Sequence, residues 1–222
     1  MNTPISIEVL SDVVCPWCYI GKRHLESAIT QWRTANPNEP APIVMYRPYQ
    51  LNPELIATGM PRDEYMMAKF GSDNGGQIYA RVLSAAANAG LDLQLDKIAR
   101  QPNTLKAHAL LMMSVKENNQ AALNEALFKA YFIDGLDLTQ DTVLRQIALG
   151  AGMSAEQVDA ALTEPRLHQA ITEEDQRARQ AGISGVPLFI IDKQIPVSGA
   201  QGAGVLLHAI NQIQAQREQN QQ

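Results

Sequence analysis

Apolar positions change their spacing twice along this chain. Ile5–Leu10 is a short apolar run that Glu8 interrupts, the pattern of a strand. Ser11-Asp12-Val13-Val14-Cys15-Pro16-Trp17-Cys18 then turns from strand end into helix, with Pro16 where a first helical turn tolerates it. Ile20, Leu25, Ala28, Ile29 and Trp32 share one helical face, and Asn36-Pro37-Asn38-Glu39-Pro40 ends that helix. Ile43–Tyr49 alternates and is partly β-branched, so it reads as a second strand.

From about Pro61 to about Arg179 the spacing is helical throughout. Helices are predicted over Glu64–Phe70, Gln77–Ala89, Leu105–Lys116, Ala121–Phe132, Thr142–Leu149 and Ala155–Leu162. Ser154 with Gln157 has the form of a capping box, and Thr163-Glu164-Pro165 opens one more helix, Arg166–Gln180. Strand character returns after Gly182-Ile183-Ser184-Gly185, in Val186–Ile191 and Ile195–Val197, with Asp192-Lys193-Gln194 as the turn between them. Gly202–Ile213 closes the chain as a helix, and the Gln-rich stretch Gln212–Gln222 is expected to fray.

The order is β-α-β, a helical block, then α-β-β-α. A block of helices cannot join the sheet. The fold class is therefore α/β, one small domain (residues 1–60 and 180–222) split by a large all-helical insertion (61–179). The insertion's last helix is assignable to either part.

Composition narrows the setting. A chain of 222 residues, 45% hydrophobic, can bury a core without staples. The net charge of -5 argues against nucleic acid or an anionic membrane as partner. Met1–Pro4 has no basic n-region and no run reaches membrane-span length, so a cytoplasmic protein is expected.

Two cysteines, Cys15 and Cys18, are all the chain has. A bond between them closes too small a loop to staple a fold. Their place at a helix start is chemically specific. Free backbone N–H groups and the positive end of the helix dipole favour thiolate over thiol there. Cysteines so placed reach pKa values of roughly 3.5–7.5. Cys15, at the strand end, is expected to be the more exposed and to attack; Cys18, one turn inward, is expected to resolve the mixed disulfide. The competing reading, half of a zinc site, lacks ligands: there is no second CxxC, and His24, His108, His168 and His208 are scattered.

Val186-Pro187 follows Gly-Ile-Ser-Gly and opens an apolar strand, a position where proline is tolerated in any fold. Taken with Cys15-Pro16-Trp17-Cys18, it resembles the paired signature of thioredoxin-like proteins, and the helical insertion resembles the DsbA architecture. Ser11 to Lys22, Asn103-Thr104 with Ala107-His108, and Ser198-Gly199-Ala200-Gln201 are similar to the FrnE-type branch of that family. The resemblance implies a cis Val186-Pro187 peptide facing the cysteines. It also implies a loop that binds extended substrate backbone beside Cys15, with Pro16, Trp17, Val186 and Pro187 as substrate-binding residues and no metal on the thiols. The implied activity is thiol–disulfide oxidoreduction or disulfide isomerisation on protein or peptide substrates. No nucleotide loop follows any predicted strand; glutathione is the candidate reductant or co-substrate.

Other residues make weaker claims. Asp12 is a candidate proton acceptor for Cys18, or else a polar cap on the strand-to-helix turn. Trp17 is expected to lie exposed between the cysteines. Lys22, one turn past Cys18, reads as a solvated surface lysine. Asn103 reads as a helix cap, and the resemblance brings Asn103, Thr104 and His108 toward the active-site cleft. Met66-Met67 and Met112-Met113 are core filler or an adaptable apolar surface. The chain departs from the periplasmic DsbA enzymes in its Pro-Trp interior, where they have Pro-His, and in its lack of further cysteines. Two rival functions stay open. One is a glutathione-dependent enzyme like the kappa-class transferases and 2-hydroxychromene-2-carboxylate isomerases, which typically carry serine where this chain has Cys15. The other is a holdase whose helical part presents an apolar cleft.

Overall fold

The structure is a computed structural model that describes residues 3–71, 76–115 and 119–220. Its principal sheet has four strands in the order β2-β1-β5-β6. β1 (Ser6–Ser11) pairs parallel with β2 (Ile43–Pro48), Val9 standing opposite Tyr46. The long helix α1 (Pro16–Ala35) makes the crossover that a parallel pair requires. β5 (Leu188–Ile191) pairs antiparallel with the other edge of β1, Val9 opposite Phe189, and β6 (Ile195–Ser198) pairs antiparallel with β5. Strands from the two ends of the chain thus form one sheet, as the β-α-β and β-β-α patterns require.

The β5–β6 turn is tight. Asp192 and Lys193 both take positive φ (51° and 59°), and Gln194 N–H donates to Ile191 O at 3.0 Å. That is the turn whose twist matches a hairpin. Asp is among the residue types that tolerate this conformation, and the Asp192 carboxylate is held by Arg217 at 2.7 Å.

Between β2 and β5 lie β3 (Met60–Pro61), α2 (Arg62–Phe70), α3 (Gly76–Asn88), β4 (Arg100–Gln101), α4 (Leu105–Met113), α5 (Gln120–Phe132), α6 (Asp141–Gly150), α7 (Ala155–Thr163) and α8 (Pro165–Gln180). Apart from α4, which ends at Met113 and turns at Ser114 and Val115 short of its predicted end, the helices stand within a residue or two of their predicted bounds, and the capping box of Ser154 and Gln157 is present. The predicted end of the fourth helix, Lys116, lies outside the described residues. Periodicity missed the two-residue ribbon of β3 and β4, in which Met60 faces Gln101; so short a ribbon leaves no alternation to read.

Two expectations are corrected. The strand after Gly185 begins at Leu188, not Val186, because Val186 and Pro187 belong to the loop over the cysteines. The tail does not fray at Gln212: α9 (Ala203–Gln219) runs on to Gln219. Gln, Arg and Glu are good helix formers. Ile213 is fully buried, and Arg217 ties the last turns to Asp192 and to the carbonyls of Thr3 and Pro4. Gln221 and Gln222 lie outside the described residues.

Two apolar cores result. One joins the sheet to α1 and α9 through Ile7, Val9, Trp32, Phe189, Leu206 and Ile210. The other fills the helical block and includes Val13, Val14 and Cys15 from the turn before α1 and Cys18, Tyr19 and Ile20 from its first turns.

Candidate active site

β1 ends at Ser11, and the chain turns through Asp12, whose carbonyl accepts from Cys15 N–H at 3.0 Å. Cys15 is the N-cap of α1 in extended conformation, and Pro16 is the first helical residue. The Cys15 carbonyl accepts from Cys18 N–H (3.0 Å) and Tyr19 N–H (3.3 Å), which places Cys18 one turn along the helix. Both cysteines are free thiols.

Cys15 is not the exposed member of the pair: it is 4% exposed, Cys18 3%. The Val186-Pro187 loop covers it. That peptide is cis, and Cys15 Sγ donates to Val186 O at 3.7 Å. The loop is held by Gly199 N–H, which donates to Pro187 O at 2.8 Å. Under it lies Gly21, where a Cβ would stand 3.0 Å from both Pro187 Cγ and Phe189 Cζ; a side chain there would push the loop off the helix. Trp17, 37% exposed, presents its ring at the surface between the cysteines as expected.

Around Cys18 the environment differs. Burial pushes its thiol well above its ordinary value, and the hydrogen bond and charge of Cys15 push it further. Hydrogen bonds from the Asp12 backbone and the Ser11 side chain act the other way without reversing the shift. The inner sulfur thus holds its proton until something takes it.

The Asp12 side chain is wholly buried. One oxygen accepts from Leu51 N–H at 2.7 Å, and the other lies 3.4 Å from His108 Nε2. It does not cap α1. It fixes instead the segment after β2, together with Asp175 of α8, which accepts from Gln50 N–H at 2.8 Å. Two buried carboxylates therefore hold Gln50-Leu51 beside the thiols.

The chain matches the DSBA-like thioredoxin domain over residues 6–211. It belongs to the DsbA-like thioredoxin family. This is a family of thiol–disulfide oxidoreductases and isomerases, and its fold is the one found here. A probable DsbA oxidoreductase from Streptomyces coelicolor is 30% identical, with a TM-score of 0.81 over 94% of this chain and 89% of that one. Two more distant structures share the fold. The cytosolic disulfide reductase DsbM from Pseudomonas aeruginosa, in a structure with GSH, is 17% identical (TM-score 0.63; 97% and 98% covered). A 2-hydroxychromene-2-carboxylate isomerase is 14% identical (TM-score 0.67; 96% and 98% covered).

In this DsbA-like chain Lys22 is not a surface lysine. It is 4% exposed, its ammonium between Glu26 and Glu125. Arg23 pairs with the same two carboxylates, and Tyr19 O–H donates to Glu125 Oε1 at 2.9 Å. Glu125 comes from α5, so this cluster pins the start of α1 to the helical block. Burial and the Glu125 contact push the Tyr19 phenol up to about 12. Sequence missed the cluster because its central carboxylate lies 103 positions from Lys22.

Of the other predicted residues, Asn103 is not the N-cap of α4, which is Thr104; one residue earlier, it accepts from Leu105 N–H at 2.9 Å and donates to Leu55 O at 2.6 Å, tying the start of α4 to the loop after β2. Thr104 is buried at the start of α4. His108 faces Asp12, so α4 does reach the active site. Met66 is fully buried and Met67 half-exposed; Met112 lines a small cavity beside His108. Among the described residues, no group of three or more His, Cys, Asp or Glu is placed to hold a metal, and no helix is long and apolar enough to cross a membrane.

Proposed function

We propose that the protein is a thiol–disulfide oxidoreductase or isomerase acting on polypeptides, with Cys15 as attacking thiolate and Cys18 as resolving thiol. The observation that carries this reading is the asymmetry of the pair. Cys15 caps the helix and touches the Val186 carbonyl, whereas Cys18 lies a turn deeper with its thiol pushed up. The Val186 backbone suits strand-like pairing with an extended substrate, which would pack against Pro16, Trp17 and Pro187. Residues 1–60 and 180–222 form the domain that carries the thiols, and 61–179 the insertion over them. The protein works in the cytoplasm, with glutathione as reductant.

Trp17 cannot stabilise the Cys15 thiolate as a histidine could. The couple is therefore less oxidising than the DsbA extreme of about −120 mV. Equilibration with a glutathione redox buffer, with Cys15→Ser as control, tests both points. The expected result is a reversible two-electron couple below that potential, and insulin reduction lost in the variant. A potential at or above it, or activity indifferent to Cys15, defeats the reading.

One observation favours a second reading, a glutathione-dependent transferase or isomerase of small molecules: both sulfurs lie deep, within reach of a slender thiol more readily than a protein chain. It predicts stoichiometric glutathione binding and activity that survives Cys18→Ala.

A further inference from the structure

A cleft of about 420 Å³ in the helical block has no part in the site described above. Its apolar wall is Leu83 of α3 with Leu93, Leu95 and Ile98 from the segment between α3 and β4, and the carboxylates of Asp63 and Asp96 also line it. That volume falls in the roughly 300–1,000 Å³ range of sites that take a ligand. Neither the cysteines nor the Val186-Pro187 loop reaches it. The apolar surface continues outside the cleft. Asp63, Met67 and Phe70 follow one another along a single face of α2 by i, i+4, i+7 spacing. Met67 is 53% exposed, Phe70 38% and Leu83 40%. Apolar side chains grouped in the open, rather than scattered singly, mark an interaction surface. A flexible methionine suits one that must take varied sequences.

The charges say what kind of partner fits. Arg62 is the one cation among the described residues of the wall, and it is already engaged. Its Nε and Nη2 donate to the Tyr79 hydroxyl at 3.1 and 2.7 Å, and its Nη1 donates to Gln101 Oε1. Asp63 and Asp96 are both exposed and stand in no ion pair among the described residues. Asp63 accepts from Glu64 N–H at 2.9 Å, which leaves its charge uncompensated. An apolar cleft with unpaired carboxylates at its mouth has the complementary build of a lysine or arginine side chain, an apolar stem with a charged head. The same carboxylates repel anionic lipid and nucleic acid, and a second copy of this chain, with its net charge of -5, is a poorer match.

On the reading that the thiols act on polypeptides, we propose that this cleft, with Met67 and Phe70 beside it, docks a basic, apolar stretch of the unfolded substrate chain. The stem of one Lys or Arg lies against Leu83, Leu93, Leu95 and Ile98, and its charge meets Asp63 and Asp96. Apolar neighbours in the substrate cover Met67 and Phe70. A polypeptide held both here and at the thiols is bound at two points, so docking raises its effective concentration at Cys15. A disulfide too small to extend beyond the thiol site gains nothing from the cleft.

Two fluorescent peptides without cysteine test this by titration into the full-length protein. One alternates Leu with Lys and Arg, and the other has Glu in place of each Lys and Arg. The basic peptide is expected to bind about fivefold more tightly or better, an advantage that shrinks as salt is added. Asp63→Asn combined with Asp96→Asn is expected to abolish the preference, and Leu83→Gln to weaken the basic peptide; all three positions are exposed, so the variants keep the fold. With a disulfide built into the basic peptide, the double variant is expected to raise KM by a similar factor. It should leave kcat, and the reduction of a small aromatic disulfide, within about twofold. Equal binding of the two peptides, a preference that survives the double variant, or an unmoved KM overturns the proposal. So does a dimer, seen by sedimentation, that the basic peptide dissolves, since the cleft then seats a second copy. If the basic peptide docks as expected but its disulfide is not reduced, the reading of Cys15 and Cys18 fails instead, and the two failures are distinct.

Discussion

The two cores differ in what they contain besides hydrocarbon. The one between the sheet and helices α1 and α9 is built from Ile, Val, Leu, Ala, Phe and Trp, with the single tyrosine Tyr46. None of the buried polar residues Ser11, Asp12, Lys22, Thr104, His108 or Asp175 belongs to it. They gather at and beyond the C-terminal end of β1, where the helical block closes over the cysteines. α1 crosses from one to the other: its first turns give Cys18, Tyr19 and Ile20 to the block, and its later turns give Leu25, Ala28 and Trp32 to the sheet. A helix anchored in a dry core can carry a reactive first turn into a polar one. The division teaches that stability and reactivity are separable here along one helix.

The largest expected effect tests that separation directly. Trp32 is 1% exposed, in the dry core, and lies far along α1 from the cysteines. Trp32→Ala is expected to cost about 3–5 kcal/mol in denaturant unfolding. The midpoint potential of the folded protein should not move. A shifted potential would mean that the dry core also sets the chemistry.

Gly21 sits where the two regions meet. Gly21→Ala places a methyl group against Pro187 and Phe189, each 3.0 Å away. Overpacking of this kind costs about 1–3 kcal/mol. Here it should also lower the rate of thiol exchange, since Pro187 carries the loop that covers Cys15. Stability lost with full exchange rates retained would show that the loop's seat on α1 is only structural.

The dry core was largely legible in the sequence, and the polar one was not. Alternation in Ile5–Leu10 and the i, i+3, i+4, i+7 spacing of Leu206, Ala209, Ile210 and Ile213 declare their faces locally. Cys15, Cys18, Val186 and Pro187 were legible because motif and resemblance marked them. The burial of Cys15, the pairing of Lys22 with Glu125 and the approach of His108 to Asp12 join residues far apart in the chain. No local period encodes such meetings; only the packing of α4 and α5 against the first turn of α1 makes them. The same holds for Gly21, whose lack of a side chain matters only because Pro187 arrives from the other end of the chain.

Lys22 sharpens the comparison through pH. Burial pushes the Glu125 carboxyl up, but hydrogen bonds and charge from Lys22, with hydrogen bonds from Arg23 and Tyr19, outweigh it and hold it below its ordinary value of 4.5. A carboxyl lowered on folding stabilises the protein fully above its unfolded value. That contribution fades as pH falls through the folded one. Glu125→Gln is expected to cost about 1–2 kcal/mol at neutral pH, a figure discounted for the carboxylate's contact with solvent. The gap between wild type and variant should close in acid below 4.5. A gap that persists there would mean that the loss is packing, not charge.

The smallest effect lies at the far side of the helical block. Ser154 Oγ accepts from Gln157 N–H at 3.2 Å, and Gln157 Oε1 accepts from Ser154 N–H at 2.9 Å, closing the start of α7. Ser154→Ala is expected to cost about 1 kcal/mol. α7 packs on α4, the helix that carries His108. If α4 is held mainly by its own buried residues, fully enclosed Ala109 and Leu110 among them, loosening the α7 cap changes stability and leaves both steps of thiol exchange alone. Stopped-flow kinetics on Ser154→Ala read this out. A selective slowing of the second step would show that reactivity reaches further into the block than the polar core.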